Sequence, residues 1–568
     1  MSVPFLKDSR RLTGRTILLD APGAVLEVEP PAELATRLAA RWRREARWLC
    51  QGLGWTESAQ ASRWFAPTLH LGLSAPIDQL MVATYVAEWA LELALDGLIE
   101  HRAPRASRIL ARMQERRDRA ANPALVALHR RALAEKAQIL IGDGDLSLGE
   151  GADCRSFAFG EVPEPDKLDY SKLGHRLPVA IVTGTNGKTT TTRMLARVAA
   201  EAGHATGHCC TDSVEVAGEV LDRDDYSGPG GTRKVLRHPR CEFAVLETAR
   251  GGLLRRGLSV RYADVALVTN IAADHLHDMG VHSLAQMAEV KFLIAKALTP
   301  RGVLVSNADN PWCRREAKRS GKAIVWFALK PPPSAFLRGT PRLRGLATVR
   351  KQRLVYESGK RRVDLIGVDE IGLPGAGGAA HNIANALAVA VTAIQLKLPL
   401  SAIRKVLREF GRTVHDNPGR GNLYRLANGA QVLADFGHNP DSLAAVFTTM
   451  RALPHRRLLI SLGQAGDRDN AAIRELGTLA GTEAPERLLL KDMDKYRRGR
   501  AEGEIPRLMA EGAIAAGLDA ARIEYCGSDP DAAQRALDWL QPGDLAVLFV
   551  HSEADKVFAM LSAAAEGS

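Results

Sequence analysis

The sequence has few cysteines, and none of them are spaced to bind a metal. The seven cysteines are an odd number, and no two form a C-x-x-C motif. This argues against both a disulfide framework and a structural zinc site. We therefore expect reduced cysteines that serve mostly as packing residues: Cys50, Cys154, Cys209, Cys210, Cys241, Cys313 and Cys526.

Long apolar runs are also missing. No stretch approaches the roughly 18 to 20 residues that cross a bilayer. The nearest, 379–400, is interrupted by His381, Asn382, Asn385 and Gln395, and we interpret it as a core helix. The N-terminal stretch MSVPFLKDSRRLTGR lacks the apolar segment of a secretory signal. These features predict a cytoplasmic protein with no membrane partner.

A concentrated basic surface is absent as well, although the net charge is +11. The arginines are scattered over predicted helical faces, and no basic patch is interleaved with aromatic residues. We therefore predict no nucleic-acid partner, and expect arginines that bind phosphate and carboxylate groups. Apolar residues at 46% and charged residues at 25% are typical of a globular chain.

The strongest local motif is PVAIVTGTNGKTTTTRM at 178–194. Val179–Val182 predict a buried strand, and Gly184 and Gly187 allow the following turn to direct its N–H groups at an anion. Lys188 adds a positive charge, and Thr189 offers a hydroxyl to Mg²⁺. The general phosphate-loop pattern has a glycine where this chain has the last valine of the strand, so the loop is a tighter variant.

The 568 residues predict an α/β protein of three domains. The first, 1–165, is a mainly helical α+β domain of unknown role, with β-like pieces TILLD and AVLEVE and helices at 31–53, 77–98 and 106–141. The second, 166–412, is a P-loop domain with a mostly parallel sheet, entered through an irregular linker at 142–172. The third, 413–568, is a Rossmann-like α/β domain.

In the second domain, strands alternate with helices, which indicates a mostly parallel sheet. Ligands gather at the carboxyl ends of such strands. Three predicted strands end there in polar pairs, which we expect to face one nucleotide site: Glu247-Thr248, Thr269-Asn270 and Ser306-Asn307.

Eight motifs then follow in one order: GTNGKTTT, VLETARGGLLRRGL, NIAADHL with Lys291 after it, SNADNP, GAAHNIANALA, NPGR, DFGHNP and GQAGDRD. On these motifs the chain resembles the Mur ligase family from about 170 to 560, and within that family the Mur-type domain of the cyanophycin synthetases. Those synthetases carry an ATP-grasp domain where this chain has only the linker 142–172. The resemblance thus implies that this chain does not make the polymer alone, and that a separate ATP-grasp enzyme is a partner to look for.

The resemblance implies ATP-dependent amide formation. A substrate carboxylate attacks the γ-phosphate of ATP to give an acyl phosphate and ADP, and an amine then displaces phosphate. It also implies roles for individual residues. The nucleotide phosphates would be held by the loop: Gly184, Thr185, Asn186, Gly187, Lys188, Thr189 and Thr190. Thr189 would bind Mg²⁺, Glu247 and His275 would hold a second metal ion, and Lys291 would be carbamylated. Asn382 would meet adenine, and Arg420 and Asp435 would close on the nucleotide.

The substrates are less defined: a small-molecule amine, arginine among them, and a carboxylate or short peptide. One stretch either pairs with an incoming cationic substrate or forms ion pairs among its own side chains. Its charged residues are Asp492, Arg498, Arg500 and Glu504. The loop 227–231 either binds a carboxylate or is a plain turn, and Asp274 either orients His275 or caps a helix.

Two motif residues and two other functions stay open. His438 and Asn439 either act in the site or only form the turn of their Asn-Pro motif. A folylpolyglutamate-type ligase is a second possible enzyme function. The motif ETARGGLLRRG argues against it, because it is not the pattern of that branch of the family. A non-catalytic P-loop partner subunit is the third, which the combination of Glu247, His275 and Lys291 disfavours.

Overall fold

The structure is a computed structural model that describes residues 5–100, 106–274, 276–375 and 379–566. The predicted α/β class is confirmed: an N-terminal α+β domain, a central mostly parallel sheet and a C-terminal mostly parallel sheet follow one another. The boundaries at 165/166 and 412/413 stay a prediction. Within the described residues no helix is both long and apolar enough to cross a membrane, and the cytoplasmic location stays a prediction.

The N-terminal domain packs helices on a four-stranded antiparallel sheet of order β1-β2-β4-β3, and a second, three-stranded antiparallel sheet, β5-β6-β7, follows. A large apolar core with Trp42 at its centre fills the space between the first sheet and its helices. The elements are β1 (Leu6–Leu12), β2 (Gly23–Val28), α1 (Ala32–Gly52), β3 (Gln60–Phe65), β4 (Thr68–Ser74), α2 (Leu80–Leu95) with a π-helical extension (Asp96–Glu100), α3 (Ala106–Ala120), α4 (Pro123–Ala134), β5 (Ile139–Ile141), β6 (Asp145–Leu148) and β7 (Arg155–Ala158).

Three sequence-based predictions for this region are wrong. The segment TILLD at 16–20 is not a strand; the strand is β1, just before it. The single helix predicted at 106–141 is two, because Asn122 caps a new helix whose first residue is Pro123, and a proline cannot continue the preceding one. The linker 142–172 is not irregular throughout, since it contains β6 and β7.

The central sheet has eleven strands in the order β11-β10-β9-β12-β8-β13-β14-β15-β16-β17-β18. In this spatial order, the seven strands from β9 to β16 are parallel to one another. Hairpins extend both edges with antiparallel strands, β10 and β11 on one side and β17 and β18 on the other. The elements are β8 (Val179–Thr183), α5 (Lys188–Glu201), β9 (Thr206–Cys209), β10 (Val214–Val216), β11 (Glu219–Asp222), α6 (Pro229–Arg237), β12 (Phe243–Glu247), α7 (Arg250–Arg256), β13 (Ala263–Val268), α8 (Leu284–Lys291), β14 (Leu298–Asn307), α9 (Pro311–Arg319), β15 (Ala323–Ala328), α10 (Ser334–Arg338), β16 (Leu343–Arg350), β17 (Arg353–Ser358), β18 (Arg361–Gly367), α11 (Ala380–Gln395) and α12 (Leu400–Glu409).

Strand β8 lies at the centre of this sheet and is buried on both faces. Val179 and Ile181 pack into the core on one side, while Ala180 and Val182 pack into the core on the other. A strand covered on both faces is apolar throughout rather than alternating. The neighbours of β8 are β12 and β13, so the polar residues that end these strands lie on either side of the loop that follows β8.

The C-terminal domain has a six-stranded sheet of order β19-β20-β24-β21-β22-β23, in which only β19 is antiparallel. Two apolar cores cover its two faces. The elements are β19 (Arg420–Arg425), β20 (Gln431–Asp435), α13 (Pro440–Arg451), β21 (Leu458–Gly463), α14 (Asn470–Thr482), β22 (Arg487–Lys491), α15 (Glu504–Ala515), β23 (Ile523–Cys526), α16 (Asp529–Trp539), β24 (Leu545–Phe549) and α17 (Ala554–Glu566). Strand β19 is one that the sequence analysis missed.

The N-terminal domain rests on the end of helix α7. Nε of Arg10 donates to the carbonyl of Leu254 at 2.9 Å, and the N–H groups of Thr13 and Gly14 both donate to the carbonyl of Arg256 at 3.0 Å. Carbonyls at the end of a helix have no partner inside the helix, so donors from another domain stabilise them. Asp8 and Arg10 consequently form part of the wall of the large cleft between the domains.

Candidate active site

One cleft of about 2270 Å³ is lined by residues of all three domains and contains most of the predicted site. Its floor is the loop between β8 and α5. Gly187 precedes the first residue of α5 with a φ of 81°, and Gly184 has a φ of 152°. A Cβ on Gly184 would overlap the hydroxyl of Thr269, and one on Gly187 would overlap the side chain of Asn385. Both glycines are therefore required by the backbone and by its neighbours.

The polar tip of β13 holds this loop in place. The N–H groups of Thr185 and Asn186 donate to the carbonyl and the side-chain oxygen of Asn270, each at 2.9 Å. The hydroxyl of Thr269 and the amide of Asn270 both donate to the carbonyl of Asn186, at 2.7 and 3.0 Å. Nζ of Lys188 donates back to the carbonyl of Thr185 at 2.9 Å. Thr269 and Asn270, which were predicted to face the nucleotide site, thus lie against the phosphate loop.

Glu247, at the tip of β12, meets the first turn of α5. Its carboxylate accepts hydrogen bonds from the hydroxyl groups of Thr189 and Thr211, both at 2.9 Å, and from the N–H of Thr211 at 3.3 Å. The side chain is fully buried. Burial raises the pKa of Glu247 above its ordinary value, while the charge of Lys188 and the hydroxyl donors oppose this. The carboxylate lies against the hydroxyl of Thr189, which lines the phosphate end of the cleft, while Glu247 itself is not among the lining residues.

Lys291, the last residue of α8, lies beneath the phosphate loop. Its Nζ donates to the carbonyl of Gly184 at 2.7 Å, and only 5% of the residue is exposed. Burial, reinforced by the charges of Lys188 and Arg250, lowers the pKa of Lys291 to about 7, against the opposing effect of Asp274 and Glu247. A large fraction of this amine is therefore neutral at neutral pH.

The loop after β13 reaches the C-terminal domain. The carboxylate of Asp274 lies 2.7 Å from NH2 of Arg468 and 3.6 Å from Nε2 of His438. Asp274 is therefore part of a contact between domains, a role the sequence analysis did not consider. The predicted metal ligand His275 lies outside the described residues.

The remaining predicted nucleotide residues line the same cleft. Asn382, in the first turn of α11, donates to the carbonyl of Pro374 at 2.9 Å. Arg420 and Asp435 are paired across β19 and β20. Burial raises the pKa of Asp435 to about 6, although Arg420 and backbone donors lower it. The structure thus brings the residues predicted to bind adenine and phosphate, and those predicted to close from the third domain, to one cleft.

The C-terminal stretch 492–504 is tied up within its own domain. Asp492 accepts hydrogen bonds from Nε of Arg497 at 3.0 Å and from the N–H of Gly503 at 2.6 Å, and Arg500 pairs with Glu504 at 2.5 Å. Of the two readings left open, internal pairing is the one observed. Of the four predicted residues, Arg498 alone lines the cleft, together with its neighbours Met493, Lys495 and Tyr496.

The loop 227–231 also lines the cleft. It leads into α6 at Pro229 and packs against Gly252 of α7, where a Cβ would lie about 3.1 Å from the Cα of Gly228. Neither the carboxylate-binding reading nor the plain-turn reading is decided by this placement.

Sequence reasoning missed Thr211 and Asp212, which follow β9 and face the phosphate loop. Thr211 contacts Glu247, and Asp212 pairs with Arg420 at 3.1 Å. The signal was the polar pair Thr211-Asp212, which was overlooked because the four residues of β9 include a threonine, a glycine and a histidine and were not recognised as a strand. Among the described residues, no three His, Cys, Asp or Glu side chains lie together as a metal site.

Comparison with known proteins decides the family. The Mur ligase middle domain model matches residues 182–393, and the Mur ligase glutamate ligase domain model matches residues 419–550. The chain belongs to the Mur ligase family. The members of this family are ATP-dependent acid–amino-acid ligases, and the predicted resemblance is confirmed.

Among individual proteins, a cyanophycin synthetase from Synechocystis sp. is 35% identical over 398 residues, which are 69% of this chain and 44% of that protein. A UDP-N-acetylmuramoylalanine–D-glutamate ligase from Symbiobacterium thermophilum is 30% identical over 279 residues, 49% of this chain and 53% of that ligase. The chain spans less than half the length of the cyanophycin synthetases it matches.

Among solved structures, Escherichia coli FolC in complex with DHPP and ADP is similar with a TM-score of 0.51 and 20% identity, covering 68% of this chain and 89% of FolC. This similarity concerns the fold alone.

Proposed function

We propose that this Mur-family chain joins the amine of an amino acid to a carboxylate of a peptide-like acid through an acyl phosphate, with release of ADP and phosphate. The observation that carries this proposal is the contact between Thr189 and Glu247. It joins the phosphate-binding end of α5 to a buried carboxylate on the neighbouring strand. A P-loop switch can also place a carboxylate beside the threonine of its loop, so the combination of Glu247 with His275 and Lys291 is what favours a ligase over a switch.

Phosphoryl transfer to a carboxylate is mostly a matter of positioning and charge neutralisation. The loop N–H groups and Lys188 would hold the transferring phosphate, and Arg420 would approach it from the third domain. The substrate carboxylate would enter from the side of α7, where the N-terminal domain completes the wall. In the second step the neutral amine attacks the acyl carbon, the C–O bond to phosphate breaks, and the amine loses a proton.

The donor set at this place fits Mg²⁺. The hydroxyl of Thr189 and the carboxylate of Glu247 are hard oxygen ligands, the type that Mg²⁺ prefers, and they are already in contact with each other. When bound, Mg²⁺ supplies neutralisation of the phosphate charge. We propose Thr189 as a ligand of the nucleotide Mg²⁺, and Glu247 and His275 as ligands of a second metal ion.

We further propose that Lys291 is carbamylated. A carbamate forms when a neutral amine attacks CO₂: an N–C bond is made and a proton is released to solvent. Lys291 suits this reaction because it is buried and its pKa is lowered to about 7. The product is an anion, which the neighbouring cations Lys188 and Arg250 stabilise. Protein incubated with ¹³C-bicarbonate should show a carbamate carbon resonance that is absent from Lys291→Ala.

Arginine is the amine that we propose to test first, because the relatives with 32 to 35% identity are named as cyanophycin synthetases. We also propose that a separate ATP-grasp enzyme supplies the acid. In the cyanophycin synthetases an ATP-grasp domain lies at the position that residues 142–172 occupy in this chain. Both proposals concern substrates, and the reaction type does not depend on them.

The experiment combines purified protein, ATP and Mg²⁺ with panels of amines and acids, including folate-like acids with glutamate. It measures phosphate release and product mass. We expect phosphate release that needs both an amine and an acid, a product mass equal to their sum less water, and no release from Lys188→Ala. Phosphate release that needs neither substrate would rule out the ligase proposal. Activity of Lys291→Ala that is undiminished without added short acids would rule out the carbamate.

A further inference from the structure

Asp212 lies between two arginines that belong to different domains. One carboxylate oxygen is 3.1 Å from NH2 of Arg420, the first residue of β19, and the other is 3.4 Å from NH2 of Arg193 in α5. All three side chains line the cleft. Asp212 is therefore the negative member of a chain of three charges that crosses from the phosphate-loop helix to the C-terminal domain.

Both arginines are largely removed from water. The side chain of Arg193 is 12% exposed and that of Arg420 is 16% exposed. The guanidinium of Arg420 lies 4.5 Å from the ring centroid of Phe436, and its NH1 donates to the carbonyl of Gly419 at 3.1 Å. Nε of Arg193 is buried and has no hydrogen-bond acceptor in the described part of the chain. Two partly buried cations repel each other strongly unless a negative group lies between them.

The loop that carries Asp212 also contacts the reaction centre. Thr211, the residue before it, donates both its hydroxyl and its N–H to Glu247. A shift of Asp212 would therefore also move Thr211, the adjacent residue, and so change its hydrogen bonds to Glu247. The same short loop thus contacts the buried carboxylate on one side and the third domain on the other.

We propose that Asp212 is a positioning residue whose charge holds Arg193 and Arg420 together and so keeps the third domain closed over the phosphate loop before nucleotide binds. The proposal rests on the proposed function only in requiring that this loop binds nucleotide. Without the charge of Asp212 no carboxylate lies between the two arginines, because Asp435 faces Arg420 from the neighbouring strand β20, and the third domain moves away. The phosphates of a nucleotide can supply the missing negative charge, so closure then depends on nucleotide.

The test uses the full chain and its Asp212→Asn variant. Small-angle X-ray scattering gives the radius of gyration with and without Mg²⁺ and the non-hydrolysable analogue adenylyl imidodiphosphate, and calorimetry gives the affinity. We expect the variant alone to be more expanded than the wild type and to contract when the analogue binds. Part of its binding free energy then drives closure, so its affinity should be about fivefold weaker.

A second substitution separates charge from shape. Arg193→Gln combined with Asp212→Asn removes the repulsion as well as the bridge, and we expect it to restore the compact form without nucleotide. Asp364→Asn is the matched control, because it also breaks an aspartate–arginine pair, with Arg353 on β17 at 2.7 Å, but outside the cleft lining. Its scattering and affinity should equal those of the wild type.

Each result bears on the proposal. Equal scattering and equal affinity of Asp212→Asn and the wild type overturn it, and so does an expanded variant that Arg193→Gln fails to compact. If Asp212→Asn does not fold, Asp212→Ser removes the same charge with a smaller side chain, and a compact Asp212→Ser without nucleotide overturns the proposal. If the wild type binds no analogue, the proposed function fails, while scattering of the nucleotide-free proteins still decides the role of Asp212.

Discussion

The side-chain amides of Asn186 and Asn439 face each other across the cleft in a reciprocal pair. Nδ2 of Asn439 donates to Oδ1 of Asn186 at 3.0 Å, and Nδ2 of Asn186 donates to Oδ1 of Asn439 at 3.3 Å. Asn186 belongs to the phosphate loop, and Asn439 caps α13 in the C-terminal domain. The third domain thus contacts the phosphate loop directly, so nucleotide binding and domain position affect each other.

Asn439→Asp tests this contact. Aspartate caps a helix about as well as asparagine, but Asn439 is buried and aspartate lacks the Nδ2 donor to Asn186, so we expect the free energy of unfolding to fall by about 1 to 3 kcal/mol. The new carboxylate lies beside the loop that holds anionic phosphates, and we expect roughly tenfold weaker binding of Mg²⁺ and adenylyl imidodiphosphate because of like-charge repulsion. Calorimetric titration measures the affinity.

The control is Asp469→Asn, which exchanges the same two residue types at the cap of α14 outside the cleft lining. It should bind nucleotide like the wild type. Unchanged affinity of Asn439→Asp would show that the reciprocal amide pair has no role in nucleotide binding.

Gly184→Ala should abolish nucleotide binding. Its φ of 152° disfavours any side chain, and the added Cβ would overlap the Thr269 hydroxyl that holds the loop. Gly203→Ala is the matched control, because its φ is also positive, at 93°, but nothing lies near its Cβ. We expect Gly203→Ala to cost about 1 kcal/mol of stability through backbone strain alone and to retain full affinity. Equal nucleotide affinity of the two variants would contradict this.

The sheets of the second and third domains were predictable because strands buried on both faces are nearly continuous apolar runs. Strand β8 and its neighbours β12 and β13 have that pattern. The edge strands were not predictable in the same way: β10 and β11 are short, and β11 is largely exposed, so neither has a clear apolar period. The break between α3 and α4 was visible in Asn122-Pro123, but the surrounding helical periodicity concealed it.

The site was predictable as far as motifs recur in one order. The phosphate loop, Glu247, Lys291, Asn382 and Arg420 all line or adjoin one cleft. What could not be predicted are contacts between residues far apart in sequence whose partners have no motif. Asp212 meets Arg420 across 208 positions, and Asp274 meets Arg468 across 194. Such pairs depend on how two domains are placed relative to each other. A local sequence pattern does not specify that placement.

Glu247→Gln should separate binding from chemistry. The amide keeps an oxygen that can accept from Thr189 or Thr211, so the fold and the metal-free nucleotide affinity should change little. It removes the negative charge that a cation needs, and we expect the Mg²⁺-dependent rate of phosphate release to fall at least about 100-fold. The measurement is phosphate release against Mg²⁺ concentration.

The control for Glu247→Gln is Glu316→Gln. Glu316 is also a buried glutamate, on α9, but it pairs with Arg315 and Arg319, whereas Glu247 accepts hydrogen bonds from Thr189 and Thr211 beside the phosphate loop. This variant should lose stability without a change in the Mg²⁺ dependence. If Glu247→Gln keeps the wild-type Mg²⁺ dependence, Glu247 is not a metal ligand.

Lys291 makes the stability of the protein depend on pH. Its pKa is lowered from the ordinary lysine value of 10.5 to about 7 in the folded state. Between these values the unfolded chain binds a proton that the folded protein does not, so the stability of the wild type rises with pH in this window. The destabilising effect of Lys291 is complete below pH 7 and is lost towards pH 10.5.

Lys291→Met removes this effect, so the variant should gain most over the wild type at or below pH 7. From pH 7 to pH 9 its advantage in unfolding free energy should shrink by roughly 2 kcal/mol, since one proton per pH unit corresponds to about 1.4 kcal/mol. Denaturant unfolding in CO₂-free buffers measures the difference. Lys360→Met, at an exposed turn after β17, is the control and should show a constant difference. A constant difference for Lys291→Met as well would mean that Lys291 keeps its charge throughout this range, and the neutral amine required for carbamylation would then be absent.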